Sequence, residues 1–573
     1  MKKIVNKTAA LLTALCTVFT VASSITAPMS AAPDEFHDDW LHVNENAEIV
    51  DMDGNPVWLT GCNWFGYNTG SQAFDGVWSL NMHWALNEIA DHGFNLLRVP
   101  MSTEIILGWK NKDPDPMCKV NTYANPELSV DGTEGGDPMY SFDIWNKAVE
   151  WCRENGIKIM MDIHSAETAS AGHQYPVWYT DKFSTEDWLE ALSWFADYYK
   201  DDDTLIAIDL KNEPHGKRDE GNFAKWDGSK DDNNWRYAAE RGAAAVLKSN
   251  PNLLVMVEGV EVYPKFEKGF DWNSPSTDYA HYGDPEYQPY HGTWWGGNFR
   301  GAKEFPVDLG EHQSQLVYSP HDYGPLVFDQ SWFYDGFDQD TLMKDCWYDN
   351  WFFLQDQKIA PLLMGEWGGF LDEEHDADGR NRKWMAALRD LMIEKRIHHT
   401  FWCFNENSGD TGGLIAGGTN WTEWDMEKYE FVEPSLWQDE AGRYISLDHK
   451  RPVGKNGISL TEYYTGTAPD LPETKPTTKP TDKPETSDAT EAPDIDFIPG
   501  DTTGDKVINV FDSVLMRKKL LKWYPKNEDP APMQPTASAF DVNGDGIPNV
   551  SDLILLNSYL IGKDVKLTYY KSE

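Results

Sequence analysis

Two glutamates form a pair able to do acid–base work. Glu213 lies in KNEPHG (211–216) and Glu366 in LMGEWGG (363–369), each at the polar end of an apolar run. One carboxyl that keeps its proton and one that stays ionised suffice to break a glycosidic bond. The acid protonates the departing oxygen while the carboxylate acts from the other side of the anomeric carbon. A separation of about 5 Å lets the second group attack directly, with retention of configuration. Other apolar runs also end in functional groups: Arg98, His164, Asn212 beside Glu213, His321 with Tyr323, and Trp402. Arg98 is suited to holding the nucleophile ionised, while an acid left without such a partner keeps its proton. Asn212 is suited to reach a sugar 2-hydroxyl. A salt-bridge network around the mouth of a fold uses the same residue types, so the residues alone leave that alternative open.

The elements that must position these groups are short apolar runs. They recur at 57–64, 95–100, 157–164, 205–214, 253–259, 315–322, 360–368 and 399–405. Most are continuously apolar rather than alternating, the pattern of parallel strands buried on both faces. Helical stretches separate many of them, most clearly at 236–250 and 381–396. Eight such β and α units predict an α/β protein of the (β/α)8 barrel type, whose site is built where the strands end. No GxGxxG or phosphate loop follows the first run, which argues against a nucleotide site.

Bulk properties narrow the function further. The net charge of −45, from 94 acidic and 49 basic residues, repels nucleic acid and anionic lipid and favours neutral substrates or divalent cations. The 26 Trp, 25 Tyr and 25 Phe exceed ordinary use; a large aromatic core and an open sugar-stacking cleft both account for that excess. Lys2 and Lys3 precede an apolar stretch from Ala9 to Ala22, with small residues up to Ala32. This reads as a signal for export, residues 1–32, and no later stretch is long and apolar enough to span a membrane. Five cysteines remain after Cys16 (Cys62, Cys118, Cys152, Cys346, Cys403), without the spacing of a disulfide framework or zinc site. Cys62 and Cys403 fall on the first and last runs, which adjoin in a closed barrel, so a bridge between them is open.

Composition divides the rest. Residues 33–464 form the expected barrel, 465–499 a Pro/Thr-rich disordered spacer, and 500–573 a small all-α module. That module carries an internal repeat. DVNGDGIPNVSD (541–552) fits the calcium-loop pattern, offering Asp541, Asn543, Asp545, Asn549 and Asp552 as oxygen ligands. The earlier copy, DTTGDKVINVFD (501–512), is degenerate and offers Asp501, Thr503, Asp505, Asn509 and Asp512.

The larger segment resembles glycoside hydrolase family 5, in particular its first subfamily of endo-β-1,4-glucanases. The likeness is carried by GCNWFGYNTG (61–70), LLRVP (96–100), DIHS (162–165), KNEPHG, LVYSPHDYGP (316–325), LMGEWGG and FWCFNENSGDTGGL (401–414). It implies a retaining double displacement without a catalytic cofactor, with Glu213 as acid/base and Glu366 as nucleophile. Arg98, His164, Asn212, His321, Tyr323 and Trp402 match its other site positions. It also implies that Trp64 stacks a glucosyl unit, and that Trp178, Trp294 and Trp295 line the cleft, though core packing is as good an account of those three. The two calcium loops behind a Pro/Thr spacer resemble a dockerin, which implies a scaffoldin cohesin as partner and placement in an extracellular cellulosome. The catalytic part is expected to be a monomer acting on β-glucan, with no nucleic acid and no membrane insertion. The same mechanism on mannan, xyloglucan, lichenan or xylan stays open, as does a carbohydrate-binding component without activity.

Overall fold

The computed structural model describes residues 39–469 except 114, 282, 283 and 285, and in the C-terminal part 498–502, 508, 516, 519, 539–543, 548, 550–560 and 566–568. The chain divides into two compact units, Met1–Asp470 and Leu471–Glu573. The expected export signal (1–32) and most of the spacer (465–499) lie outside the described residues.

In the first unit eight parallel strands appear, one in each predicted run: β1 (Thr60–Asn63), β2 (Leu96–Ser102), β3 (Lys158–Ser165), β4 (Leu205–Asp209), β5 (Leu254–Val257), β6 (Leu316–Tyr318), β7 (Leu363–Met364) and β8 (His398–Phe401). They pair in sequence order, and β8 returns to β1. Single parallel bridges, Tyr318 with Leu362 and His321 with Glu366, close the ring between β6 and β7. The ring is a (β/α)8 barrel.

Strand side chains alternate between two faces. Leu96, Met160, Ala207, Leu254, Met256, Val317 and Leu363 belong to one buried cluster that fills the barrel. Leu97, Val99, Ile159, Met161, Ile208, Val255 and Val257 belong to another that packs beneath the helices. The first set fixes which residues point inward at the C-terminal ends. Counting by twos from Leu96, Met160, Ala207 and Met256 gives Arg98, Asp162 with His164, Asp209, and Glu258. A charged layer therefore sits directly on the apolar filling of the barrel.

Helices cover the outer face, among them Ser141–Glu154, Thr185–Tyr198, Trp235–Ser249 and Arg380–Lys395. Thr185–Tyr198 starts with a reciprocal capping box between Ser184 and Asp187. Its neighbour Trp235–Ser249 approaches closely at Gly242, where a Cβ would come within 2.6 Å of the Trp188 ring. Between β5 and β6 the described residues contain no α-helix. A hairpin, Val262–Pro264 with Tyr290–Gly292, and several short 3-10 turns take its place.

In the second unit Met516, Val542 and Leu556 form a small buried cluster, the last on helix Val550–Leu560. Cys62 and Cys403 are both buried free thiols, so the open question of a bridge resolves against one.

Candidate active site

The charged layer is organised around one guanidinium. Arg98 is fully buried and lies within 3.3 Å of four carboxylates: Asp162, Asp209, Glu258 and Glu366. It also donates to Asn63 Oδ1 and Asn212 Oδ1, at 3.0 Å each. Burying this many acids requires compensation, and Arg98 supplies only part of it. Burial pushes Asp162 up to about 7 and Asp209 up to about 6, against the downward pull of Arg98. Burial works against charge on Glu258 as well, but the His321 imidazole, the Arg98 guanidinium and the Glu213 N–H all face its oxygens and favour the carboxylate.

Glu366 follows β7 and is gripped at both oxygens. Arg98 donates to Oε1 at 2.8 Å and Tyr323 donates its hydroxyl to Oε2 at 2.6 Å. Two strong donors hold this carboxyl group aimed in one direction. Glu213 follows β4 with a backbone φ of +50°, a region costly for a residue with a side chain. Its N–H donates to Glu258 Oε2 at 2.7 Å, and its carbonyl lies 2.6 Å from His215 Nδ1. Glu258 leaves room for no side chain at Gly296, where a Cβ would stand 2.1 Å from Glu258 Oε2.

Across the mouth, a carboxylate oxygen of Glu213 and one of Glu366 lie within 4.8 Å of each other, with His321 between them. His321 Nδ1 is 3.1 Å from Glu213 Oε1 and 3.6 Å from Glu366 Oε2. Its Nε2 is 3.2 Å from Glu258 Oε1. Burial opposes charge on this imidazole, but Glu258, Glu366 and Glu213 together hold it well above the usual histidine value. Burial would likewise raise Glu213, yet the contact with His321 holds it below its ordinary value. The expectation that the acid keeps its proton by lacking a partner is therefore corrected. Glu213 has a close partner in the His321 imidazole, 3.1 Å from its Oε1.

His164 Nδ1 lies 2.7 Å from Asp162 Oδ2, and its ring stacks at 5.8 Å on Trp402, which also faces Phe65 at 5.5 Å. Burial pushes His164 well below its ordinary value. Asn212 Nδ2 is buried and without a hydrogen-bond partner among the described residues. Buried amide donors are rarely left so, and a bound hydroxyl would satisfy this one.

Of the predicted site residues, Arg98, His164, Asn212, Glu213, His321, Tyr323, Glu366 and Trp402 gather at one mouth. The aromatic expectations divide. Trp64 is fully buried, donates Nε1 to Asp75 O at 2.9 Å and stacks on Phe74 at 4.1 Å, so it offers no face to a sugar. Trp178 is also core, packed between Trp188 and Trp235 with Nε1 donating to Thr185 Oγ1. Trp64 directly follows β1 and Trp178 lies between β3 and the helix Thr185–Tyr198, and at both positions the ring is consumed by packing. Trp294 is buried edge-on to Tyr323 at 6.1 Å, on the side of the site that holds Glu366. Trp295 is half-buried and stacked on His215 at 3.7 Å, next to Glu213.

Sequence reasoning missed Asn63, Asp162, Asp209, Lys211 and Glu258. A signal was available: Asn63, Asp162, Asp209 and Glu258 are polar residues in or just beyond the C-terminal halves of buried apolar strands, in register with residues that fill the barrel, and Lys211 continues the register of Asp209.

The chain matches the cellulase (glycosyl hydrolase family 5) description over residues 50–408 and the dockerin type I domain over residues 499–561. The chain belongs to glycosyl hydrolase family 5. It is 46% identical over 510 residues to endoglucanase G of Acetivibrio thermocellus, covering 86% of this chain and 87% of that protein. It is 30% identical to the major extracellular endoglucanase of Xanthomonas campestris, over 69% of this chain and 71% of that protein. Among solved structures, a hyperthermophilic endocellulase from the archaeon Pyrococcus horikoshii aligns with a TM-score of 0.58 at 29% identity, over 70% of this chain and 98% of its own. The family 5 membership agrees with the barrel and with the resemblance read from its motifs.

In the dockerin, Asp541 and Asp552 are fully buried and Asp501 nearly so, while Asn543 is half-buried. One oxygen of Asp552 accepts from the backbone N–H groups of Val542 and Asn543, at 2.9 and 3.1 Å. Asp541 and Asp552 are the first and twelfth positions of one calcium-loop sequence and Asp501 the first of the other, hard oxygen donors of the kind that calcium takes. Thr503, Asp505, Asn509, Asp512, Asp545 and Asn549 lie outside the described residues. Among the described residues no helix is long and apolar enough to cross a membrane.

Proposed function

We propose that this protein is an endo-acting β-1,4-glucanase that cleaves internal bonds of cellulose or soluble β-glucan with retention of configuration. One observation carries the mechanism: the carboxylates of Glu213 and Glu366 approach within 4.8 Å across the barrel mouth. That spacing belongs to retaining enzymes, since inverting ones need about 6.5–9.5 Å to admit a water. The relatives named endoglucanase support the substrate class.

Glu366, oriented by Arg98 and Tyr323, attacks the anomeric carbon and forms a glycosyl ester. The C–O bond to the leaving sugar breaks as Glu213 delivers a proton to that oxygen. As Glu366 loses its negative charge, His321 loses part of what held its proton, and the shared proton shifts toward Glu213. In the second step Glu213 takes a proton from water, the water oxygen attacks the same carbon, and Glu366 leaves as carboxylate. Asn212 Nδ2 offers a hydrogen bond to the 2-hydroxyl, and Trp402 offers a stacking face.

The export signal in residues 1–32, the spacer at 465–499 and the module at 500–573 complete the reading. The enzyme is secreted, tethered through its dockerin to a cohesin, and the dockerin loops hold calcium through Asp501, Asp541, Asn543 and Asp552, together with Thr503, Asp505, Asn509, Asp512, Asp545 and Asn549. Calcium there supplies charge compensation for buried carboxylates and takes no part in hydrolysis.

The test follows viscosity and reducing ends together on carboxymethyl cellulose, xyloglucan, glucomannan and xylan. A fast fall in viscosity with few new ends on carboxymethyl cellulose, absent in Glu366→Ala, is expected. Greater activity on glucomannan or xyloglucan would keep the mechanism and replace the substrate.

A further inference from the structure

Glu258 is the first residue beyond β5 and is fully buried. It touches three members of the site at once. Oε2 accepts from the Glu213 backbone N–H at 2.7 Å. Oε1 lies 3.2 Å from His321 Nε2 and 3.3 Å from Arg98 NH2. No substrate atom need reach it, since these three groups and Gly296 enclose it. Its position is therefore that of a residue acting through others.

The imidazole of His321 has two nitrogens with different surroundings. Nδ1 faces Glu213 and Glu366. On the other side lie Glu258 and Asp209, whose carboxylate oxygens and a His321 ring nitrogen all fall within 4.8 Å of one another. The Nε2 contact with Glu258 is a 3.2 Å charge contact rather than an aligned hydrogen bond, and the negative charge on that side of the ring favours a hydrogen there. With Nε2 occupied, a singly protonated ring presents a lone pair at Nδ1, and a doubly protonated ring presents N–H at Nδ1. Either form makes a hydrogen bond with Glu213, and the two differ only in where one proton sits.

We propose that Glu258 is a positioning residue for the acid/base. It keeps a hydrogen on His321 Nε2, so that the mobile proton is shared between His321 Nδ1 and Glu213 Oε1, and it clamps the left-handed backbone of Glu213 that aims this carboxylate at Glu366. The proposal rests on Glu213 being the acid/base. The other charged groups facing Glu258 are Arg98 from β2, Asp209 and Lys211 from β4 and its end, and His321 beyond β6. Asp162 and Glu366 lie one contact further, on Arg98.

The sign of the effect follows from charge. Activity on a poor leaving group needs one proton on the His321–Glu213 pair, and the basic limb of the pH profile reports its loss. A negative charge at Glu258 holds that proton, so its removal moves the limb to lower pH. The experiment measures kcat/KM against pH in the full-length protein for Glu258→Gln and Glu258→Asp. It uses cellotetraose and 2,4-dinitrophenyl cellobioside, whose leaving group needs no protonation. The expected result is a basic limb lowered by about 1–3 pH units on cellotetraose in Glu258→Gln, substantially restored in Glu258→Asp, and little moved on the dinitrophenyl substrate. An unmoved limb on cellotetraose overturns the proposal.

Glu213→Gln separates the two levels. If it slows both substrates equally, the acid/base reading itself fails. If it selectively slows cellotetraose while Glu258→Gln leaves the limb in place, only the positioning role fails. Should Glu258→Gln not fold, ¹⁵N-histidine NMR of the unaltered protein decides, with the His321 signal assigned by its loss in His321→Gln. A hydrogen on Nε2 throughout the active pH range is expected, and an Nδ1–H tautomer overturns the proposal.

Discussion

Replacing Arg98 with lysine keeps the positive charge and removes the geometry, which makes it the sharpest perturbation of the charged layer. The guanidinium makes six hydrogen bonds, two to Asp209 and one each to Asn63, Glu366, Asn212 and Glu258. An ammonium has three donors and cannot span four carboxylates from one point. At least three bonds are lost. At about 1.5 kcal/mol for each bond to a charged group the sum is about 4.5 kcal/mol, inside the roughly 3–5 kcal/mol expected when a buried ion pair is broken. A unit of this length loses roughly 0.9 kcal/mol of stability per kelvin near its midpoint, so Tm should fall by roughly 3–6 °C. Activity should fall independently, because Glu366 loses the donor on Oε1. One charge-assisted bond of about 1.5–3 kcal/mol corresponds to a roughly 10- to 150-fold loss in kcat/KM. Differential scanning calorimetry and kinetics on an aryl cellobioside measure the two effects on the same sample. A variant with unchanged Tm and nearly unchanged kcat/KM would refute the view that Arg98 organises the four acids.

Trp178→Ala should cost about 3–5 kcal/mol of stability with KM almost unchanged, since the ring is core; Trp402→Ala should raise KM with the smaller Tm shift. Asp322, pushed up to about 7 by burial and bonded to Trp384 Nε1 at 2.8 Å, keeps its proton in the folded state while the unfolded chain loses it near pH 4. Its contribution to stability is thus present below about pH 4 and lost as pH rises to about 7, so the Tm of Asp322→Asn relative to the unaltered protein should improve steadily across that window. Chelation of calcium should abolish the thermal transition of the dockerin and binding to a cohesin while leaving hydrolysis of carboxymethyl cellulose intact; loss of hydrolysis on chelation would contradict the assignment of calcium to the dockerin alone.

All eight barrel strands were legible because parallel strands buried on both faces leave continuous apolar runs. The mouth residues were legible because each run stops at a residue that can do chemistry. Asp162, Asp209 and Glu258 were not, since a single acid at the end of an apolar strand reads as its solvated boundary. Only the inward register, set by Leu96, Met160, Ala207 and Met256, reveals that these acids face one another around Arg98. Trp64 was misplaced, and Trp178 was left open between cleft and core, for the opposite reason. A tryptophan near a strand end has the same sequence signature whether its face meets a sugar or a neighbouring ring, and here Phe74, Trp188 and Trp235 cover those faces. The partner of Glu213 was also hidden, because His321 is more than a hundred residues away and meets it only when the ring closes between β6 and β7.

The central claim is that Glu366 attacks the sugar while Glu213 handles the proton. Incubation with 2,4-dinitrophenyl 2-deoxy-2-fluoro-cellobioside, followed by proteolysis and peptide mass spectrometry, tests it most directly. A stable glycosyl ester on the peptide containing Glu366, formed with release of one dinitrophenol per active site, is predicted. An ester on any other residue, or turnover by inversion with no ester at all, would contradict it.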